Sequence, residues 1–449
     1  MKRPAALALA AALGLSLAAC SPASEDKPAE SGASDGGSAA TDTVTFRIWD
    51  ESAKPAYEES LDAFMAENPD IKVELEVVAW NDYWERLPRD LSSGDMADIF
   101  WVNTSNFGIY VDNGNLLSVS DEIGDDHDEW QESITDLYTR DGKLWGVPQL
   151  WDSIALFYNK DLVEEAGVDP ADLTWAPGGG DGDTLLPAAK KLTVDSAGKS
   201  ADEDGFNPDD ISTFGFNAQA DLQAIYIDFL AENGASYQDT SEDSDDFVFA
   251  SDEGVEAFQY LVDLIHTHHV APPAAETNLD GDYSEKLFTR GELALFQSGP
   301  YKLSSINDNA DFEWGLAPMV AGPEGRVSVV HGVAAVGNAG TQNKDATVKV
   351  MTWLGSAEGQ KPLAENGVAF PGVVDAQQSF VDFWQDKGVD VQVFIDAADG
   401  ATTPAPRGPY VGAGAGEIDP ILKDIFLGAT DVEEGLKQAQ EAGNAAMDQ

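Results

Sequence analysis

Strand-like and helix-like segments alternate regularly in the first quarter of the chain, and this order constrains the fold more than any other feature. Residues 43–48, 71–77 and 97–102 carry the β-branched and alternating apolar patterns of strands. Residues 54–67 and 83–91 carry apolar side chains at the spacing of helices with one buried face. A strand–helix–strand–helix–strand order predicts an open parallel sheet, because each helix returns the chain to the same end of the sheet.

Polar and aromatic residues directly follow two of these strands. Trp49, Asp50 and Glu51 come after the first strand, and Asn103 comes after the third. Open α/β sheets bind ligands beyond the carboxyl ends of their strands, so we expect these four side chains near a polar small-molecule site. Each also has a structural interpretation. Trp49 can belong to the core, the two carboxylates can lie in a solvated turn or cap a helix, and Asn103 can cap the next turn.

A second α/β run follows in the remaining chain, with no internal repeat of fixed period. The candidate strands are residues 144–160, 214–217, 293–296 and 329–336. The candidate helices are residues 222–230, 255–265, 346–354 and 432–447.

The N-terminal region has the features of a targeting segment. Residues 1–19 combine a basic start with a short Ala- and Leu-rich run, as a secretory signal peptide does. The run ends in Leu-Ala-Ala followed by Cys20, which resembles the lipobox of bacterial lipoproteins, where the signal is cut before the Cys and the Cys is acylated; a plain export signal with a chance Cys is the alternative. Residues 20–42 are interpreted as the lipidated Cys and a flexible linker without large apolar side chains. No later stretch is long and apolar enough to predict a transmembrane helix.

Charge and cysteine content exclude several functional classes. The chain has 25 Lys and Arg against 81 Asp and Glu, a formal net charge of −56, and one Cys. Such a surface repels phosphate backbones, so we exclude nucleic-acid binding, and one Cys cannot form a disulfide framework. The common catalytic and phosphate-loop motifs are absent, and we predict no cofactor and no metal. His266, His268 and His269 admit a metal alternative and residues 202–209 a calcium alternative, but neither has the required ligand spacing.

Five segments in order along the chain resemble extracellular solute-binding proteins of ABC importers, in the carbohydrate-binding group that includes maltose-binding protein (family 1). With the lipobox and linker, the resemblance covers nearly the whole chain. The segments are residues 142–148 (GKLWGVP), 156–162 (LFYNKDL), 288–301 (FTRGELALFQSGPY), 311–318 (DFEWGLAP) and 346–360 (ATVKVMTWLGSAEGQ).

The resemblance implies an α/β, two-lobed periplasmic-binding-protein-like fold (type II), with a hinge between lobes that close on the ligand. The implied lobes are residues 43–151 plus 334–371, and residues 154–332 plus 373–449. The implied crossings between them lie near residues 150–155, 330–335 and 370–374.

The resemblance also assigns further candidate ligand-binding residues. They lie in the first crossing, in the Gly-Pro-aromatic segment, in the second crossing and in a Pro- and Gly-rich loop before the last helices. In that order they are Trp151 and Asp152, Gly299 and Tyr301, His331 and Gly332, and Arg407 and Tyr410. The structural alternatives are core packing for the two aromatic rings at 151 and 301, a hydrogen-bonded structural His331, and a surface ion pair for Arg407.

The function implied is that of a binding protein and not of an enzyme. It would be the substrate-binding component of an ABC importer, capturing a sugar or oligosaccharide between its lobes and delivering it to the permease transmembrane subunits. Sugars bury their C–H faces on flat rings and pair their hydroxyls with donors and acceptors, and the candidate residues offer both. We expect a monomer on the extracellular face of the cell membrane, held only by a lipid on Cys20. The alternatives are a binding protein for a polyamine, amino acid or peptide and, more remotely, a secreted glycosidase or lyase.

Overall fold

The computed structural model describes residues 42–239, 244–408 and 410–447, apart from the side chain of Asn81. The predicted signal peptide, Cys20 and the predicted linker up to residue 41 lie outside the described residues. The last residue of that linker, Asp42, begins the first strand. From Thr41 onward the chain forms one compact unit, and its described part contains two large sheets of seven and five strands.

The strands are numbered in chain order, and β4 pairs with β5 as a separate two-stranded hairpin. They are β1 Asp42–Ile48, β2 Ile71–Val77, β3 Ile99–Asn103, β4 Thr139–Arg140, β5 Lys143–Leu144, β6 Val147–Asp152, β7 Ala155–Asn159, β8 Val194–Asp195, β9 Ile211–Phe216, β10 Leu293–Ser298, β11 Trp314–Pro318, β12 Val327–Gly337, β13 Phe370–Pro371 and β14 Ala401–Pro404.

Eighteen α-helices are present in the described residues, and none of them has both the length and the apolar character needed to cross a bilayer. They are α1 Lys54–Glu67, α2 Trp80–Ser93, α3 Thr104–Asp112, α4 Val119–Glu122, α5 Glu132–Leu137, α6 Lys160–Ala166, α7 Leu185–Leu192, α8 Ile227–Glu232, α9 Asp252–His266, α10 Ala274–Thr277, α11 Tyr283–Thr289, α12 Leu303–Asn309, α13 Lys344–Leu354, α14 Ala357–Glu365, α15 Val374–Asp386, α16 Gln392–Asp399, α17 Val411–Phe426 and α18 Val432–Met447. A π-helical turn, Leu222–Tyr226, precedes α8, and a 3₁₀ turn, Pro300–Lys302, precedes α12.

The first sheet confirms the parallel arrangement predicted from the alternation of strands and helices. Strand β1 pairs in parallel with both β2 and β3. In β2 the first four residues alternate between buried and exposed, whereas the first four residues of β3 are all buried, as expected for an interior strand covered on both faces. Strand β12 then runs antiparallel to both β3 and β6, which makes the sheet mixed, in the order β13-β6-β12-β3-β1-β2.

The helices beside β1 and β2 follow the predicted pattern, with one difference that affects the site. Helix α1 has the predicted bounds and buries Tyr57, Leu61 and Phe64. Helix α2 begins three residues earlier than predicted, at Trp80, and ends at Ser93, where Gly94 follows with a positive φ of 81° that suits a residue without a Cβ. This early start places Trp80 close to the carboxyl end of β2.

The second sheet has the order β11-β7-β10-β9-β8. Strand β10 lies at its centre, antiparallel to β7 and parallel to β9, and all six of its residues are buried. A short connection joins the two sheets, because only Ser153 and Ile154 separate β6 of the first sheet from β7 of the second. Strand β12 makes a second connection, since Val329 near its start packs in the apolar cluster of the second sheet, whereas Ala335 and Val336 near its end pack in that of the first.

The predicted lobe boundaries stay a prediction. The packing of the C-terminal helices favours a different position for the third crossing. Helix α15 buries Phe380 and Trp384 in the same apolar cluster as the first sheet, although residues 373–449 are predicted to belong to the other lobe. Helix α16 lies between the sheets, with the Phe394 ring 6.2 Å from the rings of both Phe157 and Phe370. Helices α17 and α18 pack in the second cluster. We therefore propose that the third crossing follows α15 rather than lying at residues 370–374.

Candidate ligand-binding site

A cavity of about 340 Å³ is lined by residues of the first sheet and of segments that adjoin the second sheet. Its lining comes from four sources: the ends of the parallel strands β1 to β3 and the residues that follow them, the crossing strands β6 and β12, the π-helical segment together with the turn and helix after β10, and residues 368–369 before β13. The volume is at the lower end of the range of roughly 300–1,000 Å³ that small-molecule pockets occupy. We call the lining from the first source the first wall and that from the third source the second wall.

The first wall is built on packed aromatic rings. The Trp49 ring centroid lies 4.9 Å from Trp101, 5.2 Å from Tyr83, 5.3 Å from Trp80 and 5.4 Å from Trp84. Trp49, Trp80 and Trp101 line the cavity, and Trp80 is 48% exposed. The Tyr83 hydroxyl donates to the Trp101 carbonyl at 2.7 Å, which ties helix α2 to strand β3. Mutual edge-to-face packing holds these rings in place without any ligand.

Asp50 and Asn103 line the same cavity, as expected for residues beyond the ends of neighbouring parallel strands. The Asp50 carboxylate accepts from the backbone N–H and the hydroxyl of Ser52, at 2.8 and 2.7 Å. The Asn103 side chain caps α3 and accepts from the backbone N–H of Asn106 at 3.2 Å. Both structural interpretations are therefore correct as well, because each side chain fixes a turn at the edge of the cavity.

The crossing strands bring Trp151, Asp152, His331 and Gly332 to the cavity. Antiparallel pairing of β6 with β12 places His331 opposite Asp152 and Gly332 opposite Trp151. The Trp151 ring stacks on Phe370, with centroids 4.7 Å apart, and only 2% of Trp151 is exposed. Trp151 is therefore part of the packed core and also borders the cavity.

The second wall is less aromatic than the first. Its members are Gln223, Pro300, Tyr301 and Ser304, and Tyr301 is 42% exposed. Gly299, which does not line the cavity, lies so close to the Tyr301 ring that a Cβ on it would be 2.2 Å from a ring carbon. The glycine therefore determines where the Tyr301 ring can lie.

Burial shifts the charge states of two groups in the crossing strands. Burial raises the pKa of Asp152 to about 7, and the hydrogen bond from Gln223 acts in the opposite direction. In that bond the Gln223 Nε2 donates to Asp152 Oδ1 at 2.6 Å, which joins a crossing strand to the second wall. Burial lowers the pKa of His331 to about 4, so its imidazole is neutral at pH 7.

Three residues of the lining carry buried ring nitrogens that have no hydrogen-bond partner within the described part of the chain. They are Trp101 and Trp151, through Nε1, and His331, through Nε2. An unpartnered buried polar atom costs about 1–3 kcal/mol, so such groups are rare unless a ligand or water pairs with them. Trp84 and Trp384 carry the same kind of nitrogen outside the lining, and all of these nitrogens are shielded from the cavity space, so they do not by themselves mark a ligand site.

Four of the predicted site residues do not line this cavity. Glu51 points to solvent, with 76% of its side chain exposed, and lies 3.7 Å from the Lys54 ammonium group. Gly299 acts through Tyr301, as described above. The backbone of Arg407 is held by Gln238, whose side chain accepts from the Arg407 N–H at 2.8 Å and donates to its carbonyl at 2.7 Å. Tyr410 begins helix α17 and is 49% exposed.

The cavity also includes residues that the sequence reasoning missed. Trp80, Trp101 and Gln223 are the most prominent of these. Trp80 could have been found by the same rule that identified Trp49 and Asn103, because it closely follows the end of β2. Gln223 lies in the π-helical turn, which carries no distinctive local signal.

Within residues 42–239, 244–408 and 410–447, no group of three or more His, Cys, Asp or Glu side chains could hold a metal ion. His266 instead pairs its Nε2 with the Phe426 carbonyl at 2.8 Å. In the acidic loop, the Asp195 carboxylate accepts three backbone N–H groups, and the Lys199 ammonium group donates to the Asp204 carbonyl at 3.0 Å.

Comparison with known proteins identifies the family. Residues 49–361, well over half of the chain, match the family described as bacterial extracellular solute-binding protein. The chain belongs to this family. The two-lobed α/β fold predicted from the sequence is thereby confirmed, as is the prediction of a binding protein rather than an enzyme. The family's description also places its members outside the cytoplasm, in agreement with the predicted export.

Individual relatives support the same assignment over nearly the full length. The maltooligosaccharide ABC transporter solute-binding lipoprotein of Streptococcus pneumoniae serotype 4 is 26% identical, with 100% of this chain and 96% of the relative covered. Among solved structures, UspC of M. tuberculosis is 42% identical with a TM-score of 0.76, covering 90% of this chain and 100% of that chain. The GacH receptor of Streptomyces glaucescens, at 21% identity and a TM-score of 0.75, covers 91% and 99% and shares the fold.

Proposed function

We propose that this solute-binding protein captures a sugar or oligosaccharide in the cavity between its two sheets and delivers it to an ABC permease. The observation that carries the proposal is the combination, around one cavity, of the exposed rings of Trp80 and Tyr301 with the carboxyl groups of Asp50 and Asp152. Relatives named for maltooligosaccharide, arabinooligosaccharide and galactooligosaccharide binding support the choice of ligand.

The chemistry of a sugar suits both kinds of group. Its C–H faces can bury against Trp80 and Tyr301, the large apolar side chains of the cavity that are most exposed. Its hydroxyls both donate and accept, so they can donate to the carboxylates of Asp50 and Asp152.

The proposed delivery works by a shift in population and needs no chemistry on the ligand. A sugar held by both walls makes all of its contacts only when the lobes are closed. Ligand therefore favours the closed form by the difference between its affinities for the closed and open forms. The permease would then recognise the closed, loaded form.

A non-sugar ligand is the second candidate, and the carboxylates favour a polyamine among such ligands. Asp50 and Asp152 line the cavity, and carboxylates together with aromatic rings can hold an organic cation. Amino acids and peptides fit less well because they carry a carboxylate. The remote alternative of a glycosidase or lyase finds no support in the family assignment.

A ligand screen tests the choice between sugar and polyamine. Residues 20–449 with Cys20→Ser would be mixed with maltose, trehalose, cellobiose, lactose, longer malto-, arabino- and galactooligosaccharides, or spermidine. A ligand that binds only the folded state raises the melting midpoint, by an amount equivalent to about 2.7 kcal/mol at 100 times its Kd. We expect at least one sugar to raise the midpoint and spermidine to leave it unchanged. A shift with spermidine and with no sugar would contradict the proposal.

We further propose that the protein is a monomer held on the extracellular face of the cell membrane by a lipid on Cys20, where it can meet the permease. The lipobox-like sequence before Cys20 and the relatives named as lipoproteins support this proposal. In cells, the wild-type protein should fractionate with membranes and incorporate labelled palmitate, and Cys20→Ser should be released without label. Membrane retention of the Cys20→Ser protein after signal cleavage would contradict the anchor.

A further inference from the structure

The cavity has acidic groups but no basic ones. Its ionisable lining residues are Asp50, Asp152 and the neutral His331, and no Lys or Arg belongs to the lining in the described part of the chain. Asp152 lies where the crossing strand meets the second wall, through its hydrogen bond with Gln223. At pH values above about 7, where Asp152 is ionised, a negative group on a ligand in this cavity would therefore find a carboxylate and no counter-ion.

The basic side chains next to the lining in sequence are engaged elsewhere. The Lys302 ammonium group, beside Tyr301, lies 2.7 Å from an Asp282 oxygen and 2.5 Å from a Glu285 oxygen. The Lys54 ammonium group lies 3.7 Å from Glu51, outside the cavity. Two carboxylates neutralise Lys302, so it offers no net positive charge to a ligand.

An anionic ligand would pay two costs here that a neutral one avoids. Removing a carboxylate from water is unfavourable unless a paired charge or several donors replace the lost hydration. A carboxylate near Asp152 would also be repelled, and this repulsion grows as burial lowers the local dielectric. The formal net charge of −56 adds a long-range repulsion, which salt screens, whereas the local contact with Asp152 is screened much less.

We propose that the cavity accepts sugars without an acidic group and rejects uronic acids and other anionic sugars, and that Asp152 sets this selectivity. The proposal rests on the proposed sugar-binding function and adds the charge class of the ligand. Asp152 acts as a specificity-determining residue because it combines a place in the lining with a fixed orientation from Gln223.

The test compares matched neutral and acidic sugars by calorimetry at pH 8, where Asp152 is ionised. The probes are maltose, trehalose, cellobiose and lactose, each with the uronic acid made by oxidising one primary alcohol. We expect the acidic member of each pair that binds to have a Kd at least tenfold higher than its neutral partner. A smaller ratio, or tighter binding of an acid, would overturn the charge selectivity while leaving sugar binding intact. Failure of every sugar in both series would overturn the proposed function and this proposal with it.

Two controls separate Asp152 from the overall charge. Asp152→Asn should lower the acid-to-neutral Kd ratio at least fivefold, whereas Glu51→Gln, which removes one charge outside the cavity, should leave it unchanged. The ratio of the wild-type protein should also persist in 1 M NaCl, where long-range repulsion is screened. An unchanged ratio in Asp152→Asn, or its loss in 1 M NaCl, would overturn the role of Asp152.

Discussion

The two walls of the cavity differ in how they are built. In the first wall, Trp49 packs within 5.4 Å of four other rings, so the surface is formed before any ligand arrives. In the second wall, Tyr301 shares the lining with Gln223, Pro300 and Ser304. This difference indicates that ligand binds first to the aromatic first wall and that the second wall completes the site on closure.

Removal of the most exposed ring of the first wall should have the largest effect on sugar affinity. We expect Trp80→Ala to weaken sugar binding by about 30-fold, roughly 2 kcal/mol, because a central aromatic contact is lost. Calorimetry measures the change, with Trp80→Phe retaining much of the affinity. Leu279→Ala, at a residue 85% exposed and outside the cavity, is the matched surface control. Unchanged affinity in Trp80→Ala would remove the first wall from the site.

Asp152 joins the crossing strand to the second wall. We expect its ionisation to change the free energy of unfolding with pH. Its folded-state pKa of about 7 lies above the ordinary value of 3.8, so the folded state binds the proton more tightly. Wild-type stability therefore falls as the pH rises from about 4 to about 7 through this group. We expect Asp152→Asn to be more stable than wild type above pH 7 by roughly 4 kcal/mol, with the difference shrinking toward pH 4.

Urea unfolding of both proteins at pH 4, 5, 6, 7 and 8 measures this difference. His331 acts in the opposite direction, because its pKa of about 4 lies below the ordinary 6.5 and acid destabilises the folded state between those values. His331 is present in both proteins, so its contribution cancels to first order. A difference that does not vary with pH would show that Asp152 is not buried in its charged form.

Tyr301 should contribute less than Trp80 if the second wall completes rather than nucleates the site. We expect Tyr301→Ala to weaken sugar binding by about tenfold, or roughly 1.4 kcal/mol, and Tyr301→Phe to stay within about threefold of wild type. Stopped-flow tryptophan fluorescence should assign most of the loss to faster dissociation. A larger loss of affinity in Tyr301→Ala than in Trp80→Ala would show that the second wall contributes more to binding than the first.

Substitution of Gly299 should have the smallest effect on sugar affinity. A Cβ at this residue would lie 2.2 Å from a carbon of the Tyr301 ring, so the ring must move. We expect Gly299→Ala to weaken binding by about threefold, which is roughly 0.7 kcal/mol. In the Tyr301→Ala background the same substitution should have no further effect on affinity, since the displaced ring is gone. An additive loss in the double variant would show that Gly299 acts on the ligand by another route.

Local sequence rules predicted which residues of the first wall lie close together. Strand periodicity located β1 and β3, and the rule for parallel sheets then brought Trp49, Asp50 and Asn103 to one cavity. Asp152 and His331 came from the family resemblance, and their pairing in adjacent strands places them together.

The parts that were missed depend on packing between distant segments. Gln223 reaches Asp152 from the π-helical turn before α8, and no local pattern relates two residues 71 positions apart. Arg407 and Tyr410 were assigned by position in the family alone, and the contacts of Gln238 hold the backbone of that loop outside the cavity lining. The burial of Trp151 on Phe370 could not be predicted either, because β13, which carries Phe370, is only two residues long.

The most direct test of the proposed function is a crystal structure of residues 20–449, carrying Cys20→Ser, with the sugar that raises the melting midpoint most. We predict the sugar in the cavity, with one ring face on Trp80 and a hydroxyl within hydrogen-bond distance of the Asp152 carboxylate. A sugar bound elsewhere on the protein, with this cavity filled only by water, would contradict the account.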